Sequence, residues 1–340
     1  FGICLATNQN LAQLVLDQNG IGNIGAAAIG SGLRQNQTLQ QLGLRYNRIG
    51  NDGAVALAQG IKDNACLMRL ALWNNDIGPE GAIAFGKALE HNTRLQQLGL
   101  RRNPIGEEGV VGLARGLATN TSLLRLGLSH AQVGDTGAAA LGDMLTCNSR
   151  LEQLGLQHNH IGDSGVIELA KGLKDNQSLQ QLHLYHNQIR NDGAAALGEQ
   201  LSTTKRKILT HLSLHDNDVG EIGLSILTSA LQDSTIQHLT LHGNPGYDET
   251  FFPVATTTTT APSSVIVLTP QNSNDDSLQL FPQDPLGKSQ DDDKSKSNAT
   301  HVGYNNEDKN DNENHVVNGD SNPGVNPGVN TNDFGKEITD

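Results

Sequence analysis

The sequence predicts an α/β solenoid in which parallel β-strands alternate with α-helices along the chain. Three observations support this prediction: a period of 28 residues, a strand-like apolar pattern in the first half of each period, and a helix-like apolar pattern in the second half. One such repeat cannot bury its own apolar face, so neighbouring repeats must stack and share a continuous core. A crossover helix joins each pair of strands, so the strands are expected to be parallel.

The strand half of each period reads L-x-x-L-x-L-x-x-N, as in residues 39–47. Side chains of a strand alternate between two faces, so Leu42 and Leu44 are expected to point into the core, and Gln41 and Gly43 to point outward. Nine copies of this frame begin at Leu11, Leu39, Leu67, Leu95, Leu123, Leu151, Leu179, Leu209 and Ile236.

The helix half reads I-G-x-x-G-A-x-A-L-x-x-x-L, as in residues 49–61. Its apolar residues Ala54, Leu57, Ala58 and Ile61 recur at spacings of three and four, which places them on one face of a helix. We expect the second glycine of this pattern to lie just before each helix, where it permits a tight turn or close backbone approach. These glycines are Gly25, Gly53, Gly81, Gly109, Gly137, Gly165, Gly193 and Gly223.

An asparagine follows eight of the nine strands, and these residues form a predicted structural column. Their side-chain amides are expected to pair with backbone groups in the turn that leaves each strand, because those groups would otherwise be buried without partners. The fifth repeat carries Ala131 instead, which predicts a looser or water-filled turn. The column consists of Asn19, Asn47, Asn75, Asn103, Asn159, Asn187, Asn217 and Asn244.

A 28-residue repeat with this strand frame and a full helix resembles the ribonuclease-inhibitor-like subfamily of leucine-rich repeats, over about residues 1–245. The subfamily includes ribonuclease inhibitor, the Ran GTPase-activating protein and the repeat domains of NOD-like receptors. The resemblance implies a horseshoe-shaped solenoid with strands on the concave face and helices on the convex face. It is specific for the fold and says little about function, since the matched residues are structural.

The composition changes near residue 253, so we divide the chain into a repeat domain at 1–252 and a tail at 253–340. The tail is rich in Thr, Asn and Asp, and residues 246–340 carry 16 acidic and 5 basic side chains. Low hydrophobicity and excess charge predict that this tail is disordered. Residues 1–8 align with the second half of a helix pattern, so we interpret the chain as a fragment with further repeats or domains before Phe1.

The remaining composition favours a cytoplasmic monomer without a cofactor. Cys4, Cys66 and Cys147 form no disulfide or metal pattern, which favours a reducing compartment. No apolar run approaches the ~18–20 residues that a membrane span needs. We expect no nucleic-acid partner, because the repeat domain is not net basic and the tail is acidic. Glycosylation sequons, three of which arise from the repeat frame, lie at Asn36, Asn120, Asn176 and Asn298.

Trp73 is the only tryptophan, and the frame places it outside the core. Arg45 and Arg101 occupy the same column on the two adjacent strands, about 5 Å away on either side. A tryptophan between guanidinium groups suits a binding hot spot, whereas the alternative is packing on its neighbours' methylene groups. We predict that a protein with an acidic patch binds here. The predicted concave-face residues are Trp73, Arg45, Arg101, Arg69, Tyr46, Arg102, Arg125 and Tyr185.

Histidines are concentrated on the same side of the chain. Three imidazoles about 5 Å apart on neighbouring strands could bind zinc or copper, but no carboxylate or thiolate completes an evident set, so we predict no metal site. Protonation near pH 6 would make this face strongly positive, whereas the alternative is an ordinary solvated surface. The candidate pH-responsive cluster comprises His130, His158, His186, His183, His215 and His242.

The predicted function is a protein-interaction scaffold that is not an enzyme, since we find no nucleophile–base pair. One alternative is a GTPase-activating protein for a Ran-like small GTPase. A further alternative is the ligand-sensing region of a NOD-like receptor. The acidic tail is a candidate internal partner, because a flexible chain of ~45 residues reaches roughly 35–40 Å and would let Asp291–Asp293 visit Trp73.

Overall fold

The computed structural model of the protein describes residues 1–203, 208–231, 234, 236–248 and the backbone of 266–267. All of these residues belong to one unit, which covers residues 1–284. The predicted disordered tail, with Asp291–Asp293 and the sequon at Asn298, therefore lies outside the described residues apart from the short segment 266–267.

Strands and helices alternate as the sequence predicts, and each of the first eight repeats contributes one short strand and one helix, whereas the described part of the ninth contributes a strand. The helices are α1 (Gly2–Thr7), α2 (Asn23–Leu33), α3 (Asn51–Lys62), α4 (Pro79–Leu89), α5 (Gly106–Thr119), α6 (Asp135–Cys147), α7 (Asp163–Leu173), α8 (Asn191–Thr203) and α9 (Glu221–Ala230). The strands are β1 (Gln13–Val15), β2 (Gln41–Gly43), β3 (Arg69–Ala71), β4 (Gln97–Gly99), β5 (Arg125–Gly127), β6 (Gln153–Gly155), β7 (Gln181–His183), β8 (His211–Ser213), β9 (His238–Thr240) and β10 (Ile266–Val267).

The strands form one parallel sheet in sequence order, from β1 to β10. The register matches equivalent positions of neighbouring repeats, so Leu42 pairs with Leu70 and Gly43 pairs with Ala71. Strand β10 pairs with β9 through Ile266 and His238. Two residues that the sequence analysis assigns to the tail thus extend the sheet beyond residue 252.

The predicted alternation of strand side chains is confirmed. Leu42 and Leu44 are buried in the core, which runs continuously from Leu5 to Leu241. We call the opposite side of the sheet the strand face. It consists of the third, fifth and seventh positions of each frame, which in the second repeat are Gln41, Gly43 and Arg45. Stacking by whole repeats therefore aligns the outward side chains in columns, one strand apart.

The glycines expected before each helix lie inside the first helical turn instead, so their predicted position was wrong; of their two predicted roles, the structure shows close approach and not a tight turn. Helix α3, for example, begins at Asn51 with Gly50 as its N-cap, and Gly53 is its third residue. A Cβ atom on Gly53 would stand 2.9 Å from Ile49 Cγ2 and 3.0 Å from the Ala26 Cβ of helix α2. The missing side chain allows close packing between neighbouring repeats rather than a special turn.

The asparagine column makes the predicted hydrogen bonds. Asn75 is buried; its Nδ2 donates to the carbonyl oxygens of Leu44 at 2.9 Å and Leu72 at 3.0 Å. Its Oδ1 accepts from the backbone N–H of Ile49 at 3.1 Å. The same arrangement recurs along the column, although Asn19 in the first repeat is exposed. Each asparagine thus joins two repeats through backbone groups.

The looser turn expected in the fifth repeat is not found, because the backbone N–H groups of Ala131 and Val133 donate to Asn159 Oδ1 at 2.9 and 3.1 Å. The turn of the fourth repeat, which an asparagine at position 131 would close, is rebuilt instead. The backbone N–H of Ile105 donates to the carbonyl of Asn103 at 2.8 Å, and the N–H of Gly106 donates to the carbonyl of Ala131 at 3.0 Å. Gly106 has φ +66°, a left-handed conformation that glycine adopts without steric strain. Backbone hydrogen bonds therefore close this turn without an asparagine.

A second asparagine column, which the sequence analysis noted only as sequons, follows the helices. Asn120 Nδ2 donates to the carbonyls of Leu89 at 2.7 Å and Asn92 at 2.9 Å, and the side chain is buried. Asn36 and Asn176 are buried in the same way. The asparagines of these three sequons therefore have a structural role. In each, the side-chain nitrogen to which a glycan would be attached is hydrogen-bonded inside the fold. The column comprises Asn36, Asn64, Asn92, Asn120, Asn148 and Asn176.

Candidate functional site

Trp73 lies on the strand face beside Arg45, as predicted. The side chain is partly buried, and the Arg45 guanidinium carbon is 4.5 Å from the centre of the Trp73 ring, which is a cation–π contact. Asp17, on the other side of Arg45, accepts from the Arg45 backbone N–H at 2.7 Å. Its carboxylate also stands 3.8 Å from Arg45 Nε. Arg45 is thus held between a ring and a carboxylate that partly balances its charge.

Arg101 lies on the other side of Trp73. The register pairs Ala71 with Gly99, and the backbone N–H of Asn74 donates to the Arg101 carbonyl at 2.9 Å. Both the tryptophan and the arginine therefore leave their strands at equivalent points. We call Arg45, Trp73 and Arg101 the tryptophan cluster. The small residues at the fifth positions, such as Ala71, leave a trough beside it.

The other predicted concave-face residues fall in separate places. Arg69 and Arg125 stand in the third column, where Gln97 separates them. Tyr46 and Arg102 occupy exposed eighth positions next to the tryptophan cluster. Tyr185, by contrast, packs among histidines on later repeats, with its ring 4.2 Å from that of His215. The set predicted as one site thus divides between an arginine-rich surface and a histidine-rich surface.

The eighth position of the frame has a left-handed backbone in the first eight repeats. Its φ angles lie between 51° and 59°, a conformation that non-glycine residues adopt at a modest cost and that Asn, Asp and His adopt most readily. The sequence analysis did not identify this column. The Asn, Asp, His and Gly residues in this column are the sequence signal for a left-handed backbone. The column consists of Gln18, Tyr46, Asn74, Arg102, His130, His158, His186 and Asp216, followed by Gly243 at φ 71°.

Histidines of the eighth position form a stacked ladder along the chain. The ring centroids of His130 and His158 are 4.2 Å apart, and those of His158 and His186 are 4.3 Å apart. The ladder ends at a carboxylate, since His186 Nε2 lies 3.3 Å from Asp216 Oδ2. The predicted grouping of these three imidazoles is therefore present as an ordered array.

A second ladder runs beside the first in the seventh position. It stacks Tyr185 on His215 at 4.2 Å and His215 on His242 at 4.4 Å. His215 Nδ1 lies 2.8 Å from Thr240 Oγ1, which fixes that imidazole. His183 is buried in the fifth column, with Nδ1 3.2 Å from Ser213 Oγ. We call the two ladders with Asp216 the histidine cluster.

The expected protonation of these histidines near pH 6 does not hold for His158 and His215. Burial lowers the pKa of His158 to about 3, and the neighbouring charges of His130 and His186 act in the same direction. Burial likewise lowers the pKa of His215 to about 3, with His242 as the next cause. Both rings are therefore neutral at pH 6, because the ladder desolvates them and would place like charges in contact.

One group in the histidine cluster has the composition of a metal site. The potential ligand atoms of His215, Asp216 and His242 all lie within 4.8 Å of one another, and all three side chains are partly exposed. The sequence analysis found no carboxylate to complete a set because it compared only histidines. Asp216 stands in the eighth column directly after His186, and reading the whole column would have revealed it.

Comparison with known proteins identifies the repeat but no close relative. The model of a family described as leucine-rich repeat matches residues 7–30, 35–58, 63–86, 91–114, 119–142, 147–170 and 175–198. Among solved structures, the chain is similar to leiomodin-1 actin-binding site 2, at 24% identity and a TM-score of 0.39, over 43% of this chain and 86% of that one. No curated protein matches the sequence. Among the described residues, no helix is both long and apolar enough to cross a membrane.

Proposed function

Because the chain belongs to the leucine-rich-repeat family, whose repeats form protein-interaction scaffolds, we propose that it binds a protein partner on its strand face at the tryptophan cluster. The observation that carries this proposal is the contact between Trp73 and Arg45, 4.5 Å from ring centre to guanidinium carbon. An aromatic side chain that is already ordered loses little conformational entropy on binding, so more of its contact energy appears as affinity.

The partner is proposed to present an acidic patch. Arg69, Arg101, Arg102 and Arg125 lie on the same part of the repeat domain as Trp73, on strands β3 to β5 and the turns that follow them. Asp17 partly balances the charge of Arg45, so we expect Arg45 to contribute to binding more through its contact with Trp73 than through its charge. We therefore expect binding to weaken as salt is added, because salt screens interactions between exposed charges.

A pull-down with the full chain as bait tests the site. Trp73→Ala is expected to lose a partner that the unchanged chain captures from a lysate of the source cells. Ile24→Ala is the matched control, because Ile24 is a large hydrophobic residue that is 90% exposed on helix α2, away from the strand face. Equal capture by both variants, with both folded by circular dichroism, would place the binding surface elsewhere.

The acidic tail is proposed to compete for the same surface. Removal of residues 268–340 leaves strand β10 in place and deletes all of the tail's acidic side chains. We expect this deletion to strengthen capture of an acidic partner, most of all at low salt. Identical affinities of the two proteins at low salt would exclude the competition.

The proposed function is binding and includes no catalytic step of the chain's own. If the captured partner is a small GTPase, a single-turnover GTP hydrolysis assay tests the alternative of a GTPase-activating protein. Unchanged hydrolysis in the presence of the chain would exclude that alternative. A nucleotide-binding domain encoded before Phe1 in the gene would support the NOD-like-receptor alternative.

A further inference from the structure

His215, Asp216 and His242 converge at the C-terminal end of the strand face. They follow two neighbouring strands, β8 and β9, so the parallel sheet brings them together from separate repeats. Their potential ligand atoms lie within 4.8 Å of one another, and in the described part of the chain no other three His, Cys, Asp or Glu side chains come together in this way. Two imidazoles and one carboxylate are a ligand set that zinc uses in proteins.

From this geometry we propose that His215, Asp216 and His242 bind one divalent transition-metal ion of the class that imidazole prefers, such as Zn²⁺. Calcium and magnesium are excluded as the preferred ion because they select oxygen ligands. Three protein ligands leave at least one position of a tetrahedral ion for water or for a group from another molecule. This proposal is independent of the binding role proposed for the tryptophan cluster.

The carboxylate is held in place by the backbone around it. Asp216 has φ 54°, the left-handed conformation shared by the eighth column. The equivalent residue of the next repeat is Gly243, and a Cβ atom there would collide with Asp216 Oδ1. A side chain at position 243 would thus displace the carboxylate. The glycine lets Asp216 Oδ1 lie against the next repeat, on the same side as His242.

Two neighbouring groups have the geometry of outer-shell partners. His215 Nδ1 lies 2.8 Å from Thr240 Oγ1, so Nε2 is the nitrogen that remains for an ion. His186 Nε2 lies 3.3 Å from Asp216 Oδ2 and can donate a hydrogen bond to the carboxylate. Metal-binding residues of proteins commonly have such partners, which orient the ligand and set its tautomer.

The two rings cannot both bind one ion while they are stacked, so at least the His242 ring must turn. His215 and His242 stack with an interplanar angle of 16° and 4.4 Å between centroids, so their lone pairs are nearly parallel. Two nitrogens bound to a tetrahedral ion at about 2.0–2.1 Å stand roughly 3.3–3.4 Å apart and point at the same centre. Metal binding is therefore expected to break this stack, while the His211–His238 stack on the same two strands remains.

Isothermal titration of the metal-free full chain with ZnCl₂ tests the site. We expect one Zn²⁺ per chain, and we expect Asp216→Asn and His242→Ala each to weaken binding by at least about 10-fold. His211→Ala is the matched control, because His211 stacks on His238 across strands β8 and β9 at 4.2 Å and belongs to no such group. His301 and His315 are present in every variant and cannot account for a difference between them.

Gly243→Ala provides a second test that removes no ligand. It is expected to weaken Zn²⁺ binding because the new methyl group displaces the Asp216 carboxylate. Thermal unfolding shows whether Gly243→Ala is destabilised. In that case the test of the metal site rests on Asp216→Asn alone, because asparagine keeps the shape of the aspartate side chain. The proposal is overturned if Asp216→Asn binds Zn²⁺ as tightly as the unchanged chain. It is also overturned if binding is absent, or weak and equal in all variants.

Discussion

Replacement of Asn159 by alanine removes five hydrogen bonds from the middle of the repeat domain. Its Oδ1 accepts from the backbone N–H groups of Ala131 at 2.9 Å and Val133 at 3.1 Å. Its Nδ2 donates to the carbonyls of Leu128 and Leu156, both at 2.9 Å, and more weakly to a third carbonyl. Asn159 is only 5% exposed, so water cannot readily replace these bonds.

The expected loss of stability follows from the backbone groups left without partners. A buried donor that loses its acceptor costs about 1–3 kcal/mol, so the two amides together cost roughly 2–6 kcal/mol. We expect Asn159→Ala to lower the free energy of unfolding by about 4 kcal/mol. Asn19→Ala, at the exposed end of the same column, removes a bond to the Asp17 carbonyl and should cost less than about 1 kcal/mol.

Urea unfolding followed by circular dichroism measures both variants, with one common m-value for all proteins. Repeat proteins can unfold in steps, so amide hydrogen exchange at Val133 provides a local readout. This exchange should accelerate in Asn159→Ala and stay unchanged in Asn19→Ala. If both variants lay within about 1 kcal/mol of the unchanged chain, the hydrogen-bond reasoning would be refuted.

Three further predictions concern packing, pH and modification. Gly116→Ala should lower the free energy of unfolding by about 1–3 kcal/mol or more, because its Cβ would collide with the Gly86 carbonyl of the adjacent helix. Gly22→Ala, whose Cβ meets no atom closer than 3.8 Å, is the control in the same urea assay. The unfolded chain binds more protons at His158 between pH 6.5 and about 3, so stability should fall as the pH drops through this range. Because the ring is partly exposed, we expect His158 to account for about 1 kcal/mol of the stability lost between pH 7 and 5. In His158→Gln, the midpoint of urea unfolding should therefore fall less over this pH range. Secretion from eukaryotic cells should leave Asn120 without a glycan because its Nδ2 is bound inside the fold; a mass shift at that residue on glycosidase treatment would contradict this.

The periodicity of the sequence was sufficient to predict the strands, the helices and the parallel register. The leucines of all repeats can share one core only if they point to the same side. The outward position of Trp73 and its place next to Arg45 therefore followed from the frame. Asp17 was in the same column, but the frame does not show which side chains meet, and its contact with Arg45 was missed.

Other features depend on contacts between repeats, which a single period does not display. The sequence left two roles open for Gly53, a tight turn or close backbone approach, because a single repeat does not show that two helices meet there. The depressed pKa of His215 depends on burial between stacked rings, which the residue type alone cannot indicate. Asp216 was overlooked because only the histidines of the eighth column were compared, and not all residues that share its left-handed backbone conformation.

The asparagine column also makes the two ends of the repeat array unequal. Asn159 accepts from amides of the repeat before it, and Asn217 and Asn244 do the same for the repeats before them. Shortening the array from its C-terminal side therefore strips acceptors from buried amides of the repeat that becomes terminal. Shortening it from the N-terminal side leaves the asparagine acceptors of the remaining repeats intact, although strand amides such as the N–H of Arg69 lose a carbonyl of the preceding repeat, here that of Gln40. The array thus has a direction, and each repeat relies on its successor for closure of its turn.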